Sequence, residues 1–394
     1  MKPDSDARDF DNPGFDSPDF DSPVDRAGTW STRWERYAGR DVIPLWVADT
    51  DFRAPPAVLE AFAQRLEHGV FGYTTAPDEL RHAIVARLQR LYDWRIEPGW
   101  IVFLPGVVPG LHHAARALTQ SGDHLLVPQP VYQHLKKAAE LAPRAHTDLS
   151  LVLEGGRWLF ELDVLKGSIS EKTRLFFLCN PQNPGGTVFR REELLRLAEL
   201  TRDLLIVSDE IHCDLVLDAG CKHVPIASLA PEISRRTVTL MSPNKAFNTP
   251  GAGCAWAIIE DEKLRRIFSA DLSAHVLPSP SVFGYIAALA AYREGEAWLE
   301  TQIAYLRANR DLVEERIKLP MAHVEATYLA WIDCSPLGLE NPWEFFLKHG
   351  VALSPGSQFG DGRFVRLNFG TQRARLEAAL GRITGAMHAL KAFL

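Results

Sequence analysis

Residues 242–248 read SPNKAFN and follow an apolar, β-branched run that predicts a buried strand. About 36 residues earlier, residues 207–212 read VSDEIH and end a second run of the same kind. One strand end therefore offers Lys245 and the other offers Asp209. Ligands of parallel α/β sheets bind at the carboxyl ends of the strands, so we expect both side chains at one edge.

The pairing of Lys245 with Asp209 is what a pyridoxal phosphate enzyme needs. A lysine forms the Schiff base with such a cofactor, and an acid keeps the pyridine nitrogen protonated so that the ring accepts electrons. Lys245 taken alone could equally be a solvated surface lysine. The other motifs have to decide between the two interpretations.

Composition excludes several classes of protein. The chain has 394 residues, which predicts two domains, and 46% of them are hydrophobic, which predicts a large core. A net charge of −7 gives no support to binding of nucleic acid or an anionic membrane. No apolar run reaches the roughly 18 residues of a membrane span, and the acidic N-terminus does not resemble a signal peptide. Five cysteines without a CxxC pair suit a reducing cytoplasm.

The first 25 residues differ in composition from the rest. They form a ragged repeat of Asp, Pro and Phe, DFDNPGFDSPDFDSPVD, which is acidic and rich in turns. This composition predicts a disordered extension, and an arm that lies on a neighbouring molecule is the alternative.

From residue 56 onward, predicted helices and strands alternate. We predict helices at 56–68, 78–92, 109–119, 190–202, about 281–316 and 373–390. We predict strands at 100–104, 124–127, 174–179, 204–209, 237–241, 254–259, 327–333 and 363–368. This α/β order indicates a large domain with a mostly parallel sheet between helices, followed by a smaller α+β domain. We expect residues 26–60 to contribute to the small domain, 61–285 to form the large domain and 286–394 to complete the small one.

Three further segments follow predicted strands and could bind a flat, phosphorylated ligand. PGVVPG at 105–110 starts a helix whose free N–H groups suit a phosphate. Tyr132 could stack on an aromatic ring or could be an ordinary core tyrosine. NPQNPGG at 180–186 has more turn residues than a simple loop requires, and its Asn183 could donate to a phenolate oxygen.

Other interpretations of these motifs lack their remaining parts. A DExH helicase needs a Gly-Lys phosphate loop that the chain lacks, and a Ser-x-x-Lys β-lactamase needs a Lys-Thr-Gly that is also absent. Asp209, His212 and Asp214 could in principle hold a metal, but no further ligand stands at a matching spacing, so we expect no metal.

The chain resembles the fold-type I pyridoxal phosphate enzymes, and within them the MalY/PatB group of cysteine-S-conjugate β-lyases. The match runs from about residue 25 to the end. The segments that carry it are DRAGT (25–29), STRW (31–34), PLWVADTDF (44–52), FGYT (71–74), PGVVPG (105–110), PVY (130–132), NPQNPGG (180–186), DEIH (209–212), SPNKAFN (242–248), YLAW (328–331), VALSPG (351–356) and FVRLN (364–368). WVADTDF, DEIH and VALSPG mark this group rather than aminotransferases in general.

The resemblance implies a mostly parallel, seven-stranded sheet, pyridoxal 5'-phosphate as cofactor and a homodimer with shared active sites. Lys245 would carry the cofactor and move protons, and Asp209 would pair with the pyridine nitrogen. The remaining implied cofactor contacts are Asn183 and His212 at the phenolate, a catalytic and stacking Tyr132, Val107, Val108 and Ser242 at the phosphate, and Tyr73 reaching the phosphate of the neighbouring subunit. Arg366, with Val47 and Asn183, would bind the amino-acid substrate.

Three departures from the family pattern lie near these residues. The chain has Gln182 where the family usually has His, and Pro243-Asn244 where it has a small residue and Ser. After Arg366-Leu367-Asn368 the chain continues with FGTQR rather than Cys-Pro-Arg. These changes leave the lysine chemistry intact and bear on the choice of substrate.

The resemblance implies cleavage of the carbon–sulfur bond of cystathionine or a related cysteine conjugate into a thiol, pyruvate and ammonia. Transamination of an amino acid with an α-keto acid is the alternative, because both reactions share their first steps. A non-catalytic regulatory protein on the same fold is a more remote alternative. A regulator of this kind would carry a DNA-binding module, and the N-terminal segment is too short and too acidic for a helix-turn-helix.

Overall fold

The computed structural model describes residues 19–393, with side chains as far as residue 390. Its α-helices are α1 Thr32–Glu35, α2 Pro56–His68, α3 Asp78–Tyr92, α4 Val107–Ala117, α5 Gln133–Leu141, α6 Leu162–Gly167, α7 Arg191–Leu200, α8 Pro231–Ser234, α9 Glu262–Ala274, α10 Val282–Glu294, α11 Glu296–Arg316, α12 Pro342–Lys348 and α13 Arg373–Phe393. Its strands are β1 Ile43–Pro44, β2 Ile101–Leu104, β3 His124–Gln129, β4 Ala145–Glu154, β5 Arg157–Phe160, β6 Thr173–Cys179, β7 Leu205–Asp209, β8 Thr237–Met241, β9 Ala255–Ile258, β10 Leu329–Asp333, β11 Val351–Ala352, β12 Ser354–Pro355 and β13 Phe364–Asn368. Within residues 19–393, no helix is long and apolar enough to cross a membrane.

The central sheet confirms the predicted α/β class. Its strand order is β2-β9-β8-β7-β6-β3-β4-β5. The strands from β8 across to β4 run parallel, whereas β9 is antiparallel to both neighbours. Apolar residues of α4, α5 and α9 cover one face, and those of α6, α7 and α8 pack on the other.

The sheet has eight strands rather than the predicted seven. The additional strand is β5, which pairs antiparallel with the end of β4. Gly155 and Gly156 join the two strands with φ of 57° and 79°, the left-handed conformation that a two-residue hairpin requires. The helices and strands between residues 130 and 172 escaped prediction, since β4 is largely exposed and lacks a continuous apolar pattern.

The predicted helix at 281–316 is wrong, because the chain breaks at Gly295 into α10 and α11. A Cβ at Gly295 would lie 2.5 Å from the Ala291 carbonyl oxygen and 2.8 Å from the Phe247 ring. Only glycine therefore allows the aromatic ring two residues after Lys245 to pack against this bend.

The C-terminal part combines a small antiparallel sheet with the N-terminal segment. Its strand order is β10-β13-β12. Near it, β1 pairs in parallel with β11, so that residues 43–44 join residues 351–352. This pairing brings the WVADTDF segment beside the VALSPG segment of the C-terminal part.

Residues 1–18 of the predicted extension lie outside the described residues, whereas Phe20 packs on the protein. Phe20 is only 6% exposed and belongs to the same apolar cluster as Phe52 and Trp298. Within the part of this predicted extension that the structure describes, Phe20 is therefore packed on the protein, whereas residues 19, 21–23 and 25 are exposed. The acidic, turn-rich composition does not indicate that Phe20 packs against the aromatic rings of Phe52 and Trp298.

Candidate active site

A cavity of about 330 Å³ lies at the carboxyl ends of β6 and β7, beside the N-terminus of α4. Nine of the eleven predicted site residues line it, and these are Val47, Val107, Val108, Tyr132, Asn183, Asp209, His212, Lys245 and Arg366. Ser242 and Tyr73 do not.

The sheet brings Asp209 and Lys245 together as the sequence predicted. Asp209 is the last residue of β7, where it pairs with Cys179 of β6 on one side and Leu240 of β8 on the other. Lys245 follows the end of β8 by four residues. Both side chains therefore reach the cavity from the same edge.

Lys245 is buried in a setting that favours its neutral amine. Burial lowers the pKa of Lys245 to about 8, and the positive charge of Arg366 acts in the same direction. Asp49 and Asp209 oppose the shift. The Lys245 Nζ donates a hydrogen bond to the Ala48 carbonyl oxygen at 2.5 Å.

Asp209 is a buried acid without a matching cation. Burial raises its pKa to about 6, although the Ile211 N–H donates to its carboxylate at 3.2 Å. Among residues 19–393, no salt bridge joins Asp209 to a basic side chain. Such a carboxylate is ready to receive a positively charged ligand atom.

His212 lies in the same wall of the cavity and is held by an aromatic contact. Its ring meets that of Tyr328 edge-on, with centroids 5.9 Å apart. Burial lowers the pKa of His212 well below its usual value, which keeps the imidazole neutral. Its Nδ1 is buried without a hydrogen-bond partner within the described residues.

Arg366 enters the cavity from β13 and is held on three sides. It donates from Nη1 to the Asn183 side-chain oxygen at 3.0 Å and from Nη2 to the Trp46 carbonyl at 3.0 Å and Ser354 Oγ at 3.2 Å. Its guanidinium lies 4.5 Å from the centre of the Phe359 ring. Burial lowers the pKa of Arg366 to about 10, and its buried Nε has no partner within the described residues.

Tyr132 and Asn183 are fixed to each other through the main chain. The Tyr132 N–H donates to the Asn183 carbonyl at 2.9 Å. Gln182, where the family usually has His, donates to the Pro130 carbonyl at 2.6 Å and accepts the Gly185 N–H. The departure at Gln182 therefore ties two loops together and keeps both site residues in place.

At the phosphate end of the site, Val107 and Val108 line the cavity and Ser242 does not. Val107 and Val108 begin α4, so their N–H groups lack helical partners as expected. Ser242 Oγ instead donates to the Cys254 carbonyl at 2.6 Å and receives the Asn244 N–H. Asn244, rather than Ser242, lines the cavity wall. Its side-chain oxygen accepts from Thr249 Oγ1 at 3.2 Å, which leaves its amide N–H₂ for a ligand.

Tyr73 lies away from this cavity. It sits between α2 and α3, and its side chain is fully exposed. The structure of one chain therefore does not bring Tyr73 to the site of the same chain.

Sequence reasoning missed several residues that support the site. Trp46, Ser354 and Phe359 hold Arg366, and Cys179 lines the cavity beside Asp209. Trp46 belongs to the motif WVADTDF and Ser354 to VALSPG. These motifs mark both segments as important, but the motif alone does not show that the two residues contact Arg366.

Comparison with known proteins gives the family. The model for aminotransferase class I and II matches residues 40–383. Cystathionine beta-lyase PatB of Bacillus subtilis is 38% identical over 92% of this chain and 98% of its own length. The chain therefore belongs to the family of class I and II aminotransferases. The crystal structure of OvoB is 45% identical with a TM-score of 0.91, and the alignment covers 94% of this chain and 99% of that one. The PLP-bound C-S lyase from Staphylococcus hominis is 29% identical with a TM-score of 0.88, over 95% of this chain and 99% of that one.

The third departure from the pattern of this class I and II aminotransferase family supports the N-terminal segment. Thr371 Oγ1 donates to the Asp51 carboxylate at 2.7 Å, and the Gln372 amide donates to the Asp51 carbonyl at 2.7 Å. FGTQR therefore anchors the end of WVADTDF and does not face the cavity.

The polar groups of the cavity fit the cofactor of the family. Asp209 lacks a cation, the imidazole Nδ1 lacks a partner, and the N-terminus of α4 offers free N–H groups. No group of three or more metal ligands occurs within residues 19–393. Asp214, the third member of the conceivable metal set, pairs instead with Arg87 at 3.0 Å.

Proposed function

We propose that this protein is a pyridoxal phosphate-dependent carbon–sulfur β-lyase. Its substrates would be L-cystathionine or related cysteine S-conjugates, and its products a thiol, pyruvate and ammonia. The observation that carries the proposal is the convergence of Lys245, Asp209 and Arg366 on one cavity. The names of the relatives, cystathionine beta-lyase and C-S lyase, give the reaction.

Pyridoxal phosphate, when bound, supplies an electron sink that stabilises negative charge at the substrate Cα. Asp209 would maintain that sink by holding the ring nitrogen in its protonated form. Its carboxylate is buried and forms no salt bridge within the described residues. A positively charged nitrogen beside it would offset the effect of burial, which raises its pKa. Tyr132, which lines the same cavity, would stack on the ring.

Asn183 and His212 would contact the phenolate oxygen. The Asn183 side-chain oxygen already accepts a hydrogen bond from Arg366, so the Asn183 amide N–H₂ would be the group that donates to the phenolate. Val107 and Val108 would offer backbone N–H groups to the phosphate, and Asn244 a side-chain amide.

Lys245 would bond the cofactor and later remove the proton from Cα. Its lowered pKa provides neutral amine near pH 8, which is the form that accepts a proton. Arg366 would bind the substrate carboxylate, with Val47 in the cavity wall nearby. Once Lys245 has taken the Cα proton, the Cβ–S bond would break, and the sulfur would leave with the electron pair of that bond. Return of one proton to the sulfur from Lys245 would give the thiol. One water is consumed when the remaining three-carbon fragment becomes pyruvate and ammonia.

Comparison of reactions with and without an α-keto acid tests this function. The purified protein with cofactor is incubated with L-cystathionine and with S-methylcysteine. Pyruvate released without any keto acid supports β-elimination. Consumption of substrate only when a keto acid is present would establish an aminotransferase instead.

We infer a homodimer with shared active sites. Leu66, Val70, Phe71 and Tyr73 form an exposed apolar strip, and Val276 is also exposed. An apolar surface of this kind is typical of an interface. Tyr73 would reach the phosphate in the partner's site, as the family resemblance implies. Sedimentation equilibrium should give twice the 44.0 kDa chain mass, and a monomer at micromolar concentration would contradict the inference.

We also infer that the enzyme works in the cytoplasm. All five cysteines are free, and four of them are buried. This pattern suits a reducing compartment. Fractionation of cells that express the tagged protein tests the inference, and recovery outside the cytoplasmic fraction would contradict it.

A further inference from the structure

Asp209 is followed directly by a second buried carboxylate, that of Glu210. Asp209 lines the cavity at the end of β7, whereas Glu210 contacts residues 223–226 on the side away from the cavity. The Glu210 side chain is completely buried. Successive side chains of a strand face opposite sides of the sheet, so the two carboxylates lie back to back.

Three hydrogen-bond donors surround the Glu210 carboxylate. Ser208 Oγ donates to Oε1 at 2.8 Å, and the Ile226 N–H donates to the same oxygen at 3.3 Å. His223 Nε2 lies 2.8 Å from Oε2. Hydrogen bonds from this number of donors favour the ionised form of a buried carboxylate. Glu210 therefore carries a negative charge inside the protein.

The surroundings of His223 indicate that its imidazole is neutral. Its side chain is completely buried, and its ring lies edge-on to that of Tyr92 with centroids 5.3 Å apart. Its Nδ1 has no hydrogen-bond partner within the described residues. A protonated ring would bury a charged N–H group without a partner, whereas a neutral ring with its proton on Nε2 leaves only a lone pair unused. The pair of Glu210 and His223 therefore keeps one net negative charge.

The main chain holds this turn in place without help from the Glu210 side chain. The Asn180 N–H donates to the Asp209 carbonyl at 3.0 Å, and the Glu210 N–H donates to the Leu240 carbonyl at 2.9 Å. The Cys213 N–H donates to the Glu210 carbonyl at 3.0 Å. The position of Asp209 is thus fixed by backbone bonds, and the Glu210 carboxylate acts on Asp209 through its charge.

We propose that Glu210 is a positioning residue for the cofactor, whose negative charge, left uncancelled by His223, reinforces Asp209 as the partner of a protonated ring nitrogen. Two buried negative charges attract a cation more strongly than one, and the interior of a protein screens this attraction weakly. Without the cofactor, the same charge disfavours ionisation of Asp209. Burial is the main cause of the raised pKa of Asp209, and the charge of Glu210 adds to it. The inference rests on the proposed pairing of Asp209 with the cofactor.

Glu210→Gln removes the charge and can keep the hydrogen bonds around it. The new side-chain oxygen would accept from Ser208 and from the Ile226 N–H. The new amide would donate to His223 Nε2 after the imidazole proton moves to Nδ1. Because that proton then has no partner, one of the measurements below does not use this variant. Glu192→Gln, at an exposed position of α7, is the matched control.

The first measurement is the titration of Asp209 in the cofactor-free protein by NMR, with carbon-13 at the aspartate carboxyl groups. Asp209→Asn assigns the resonance. The midpoint should lie near 6 in the unaltered protein and in Glu192→Gln, and about 1 pH unit lower in Glu210→Gln. Equal midpoints for the two glutamine variants would overturn the proposal.

The other ionisable groups around the two carboxylates do not titrate in this range. Lys245 stays charged because its pKa is about 8. Asp214 is paired with Arg87 at 3.0 Å. Burial shifts the pKa of five further groups in favour of their uncharged forms, and these are Tyr92, Tyr132, Cys179, His212 and Cys213. A change in the midpoint therefore reports the charge of Glu210.

The second measurement needs no change at Glu210 and covers the case in which Glu210→Gln does not fold. Nitrogen-15 NMR of the unaltered, histidine-labelled protein reports the protonation of each imidazole. The chain has 13 histidines, and His223→Gln, whose amide can still donate to Glu210, assigns the His223 signals. We expect a neutral ring with its proton on Nε2 at pH 7. An imidazolium at this pH would cancel the charge of Glu210 and overturn the proposal.

The third measurement uses pyridoxal phosphate labelled with nitrogen-15 in the ring and bound to the protein. The pH at which the ring nitrogen loses its proton should be about 1 unit lower in Glu210→Gln than in Glu192→Gln. Equal values would overturn the effect on the cofactor. A ring nitrogen without a proton in the unaltered enzyme would overturn the pairing with Asp209 itself. None of the three measurements requires turnover, so failure of the proposed lyase function and failure of this inference give different results.

Discussion

Arg366 and Asn183 are joined by a buried hydrogen bond of 3.0 Å across 183 positions of sequence. The bond connects the proposed carboxylate-binding group with a proposed cofactor contact. Substrate binding and cofactor orientation would therefore depend on one another at this point.

Replacement of Arg366 by lysine should lower kcat/KM by roughly 100-fold, since lysine cannot form a bidentate pair with a carboxylate and leaves Asn183 unpaired. Steady-state kinetics with S-methylcysteine measures the loss. Arg363→Lys, at an exposed position on the same segment, should keep normal kinetics. Equal kinetics for Arg366→Lys and Arg363→Lys would contradict the assignment.

Loss of the Lys245 amine should abolish turnover, because no other group is proposed to remove the Cα proton. Lys245→Ala should also fail to retain radioactivity from tritiated borohydride after incubation with the cofactor. Lys263→Ala, at an exposed position, provides the control. Multiple turnovers by Lys245→Ala would show that the lysine is wrongly assigned.

The addition of cofactor to Lys245 should depend on pH with a midpoint near 8. Only the neutral amine reacts, and burial lowers the Lys245 pKa to about 8. Below this pH the rate should fall as the amine becomes protonated, and above it the rate should level off. Rapid mixing of cofactor-free protein with pyridoxal phosphate measures the rate. A midpoint near 10.5, the ordinary lysine value, would contradict the described environment.

Asp209→Asn should stabilise the cofactor-free protein while it removes activity. Burial raises the pKa of Asp209 to about 6 in the folded protein, above the ordinary aspartate value of 3.8, so the folded state binds the proton more tightly. The ionised carboxylate therefore destabilises the fold by about 3 kcal/mol above pH 6, and this penalty disappears as the pH falls towards 3.8.

Thermal unfolding of the cofactor-free variant at pH 8 and pH 4 checks this sign. The gain in melting temperature should be large at pH 8 and small at pH 4. Asp203→Asn, at an exposed position, should change neither value. A lower melting temperature for Asp209→Asn at pH 8 would contradict the account.

The two Tyr132 variants separate its ring from its hydroxyl. Tyr132→Ala should weaken cofactor binding roughly tenfold through loss of stacking. Tyr132→Phe should bind the cofactor normally, and its kcat then reports whether the hydroxyl takes part in catalysis. Equilibrium dialysis and steady-state kinetics give the two values. Normal cofactor affinity in Tyr132→Ala would rule out the stacking role.

The sequence predicted the part of the site that strand ends determine. Asp209 and Lys245 follow apolar strands of a parallel sheet, so the position of each along the chain sets its place in the fold. Contacts between residues that lie far apart in the sequence were not predicted. Ser242 is held by the Cys254 carbonyl, and Phe20 is buried by Trp298 and Tyr305, contacts that no local pattern reveals. The break at Gly295 likewise depends on the Phe247 ring.

The most direct test of the central claim is the stoichiometry of products from L-cystathionine with no keto acid present. We expect one pyruvate and one thiol for each substrate molecule that the unaltered enzyme consumes. Substrate consumption without pyruvate, or no consumption at all by protein that carries its cofactor, would contradict the assignment as a carbon–sulfur β-lyase.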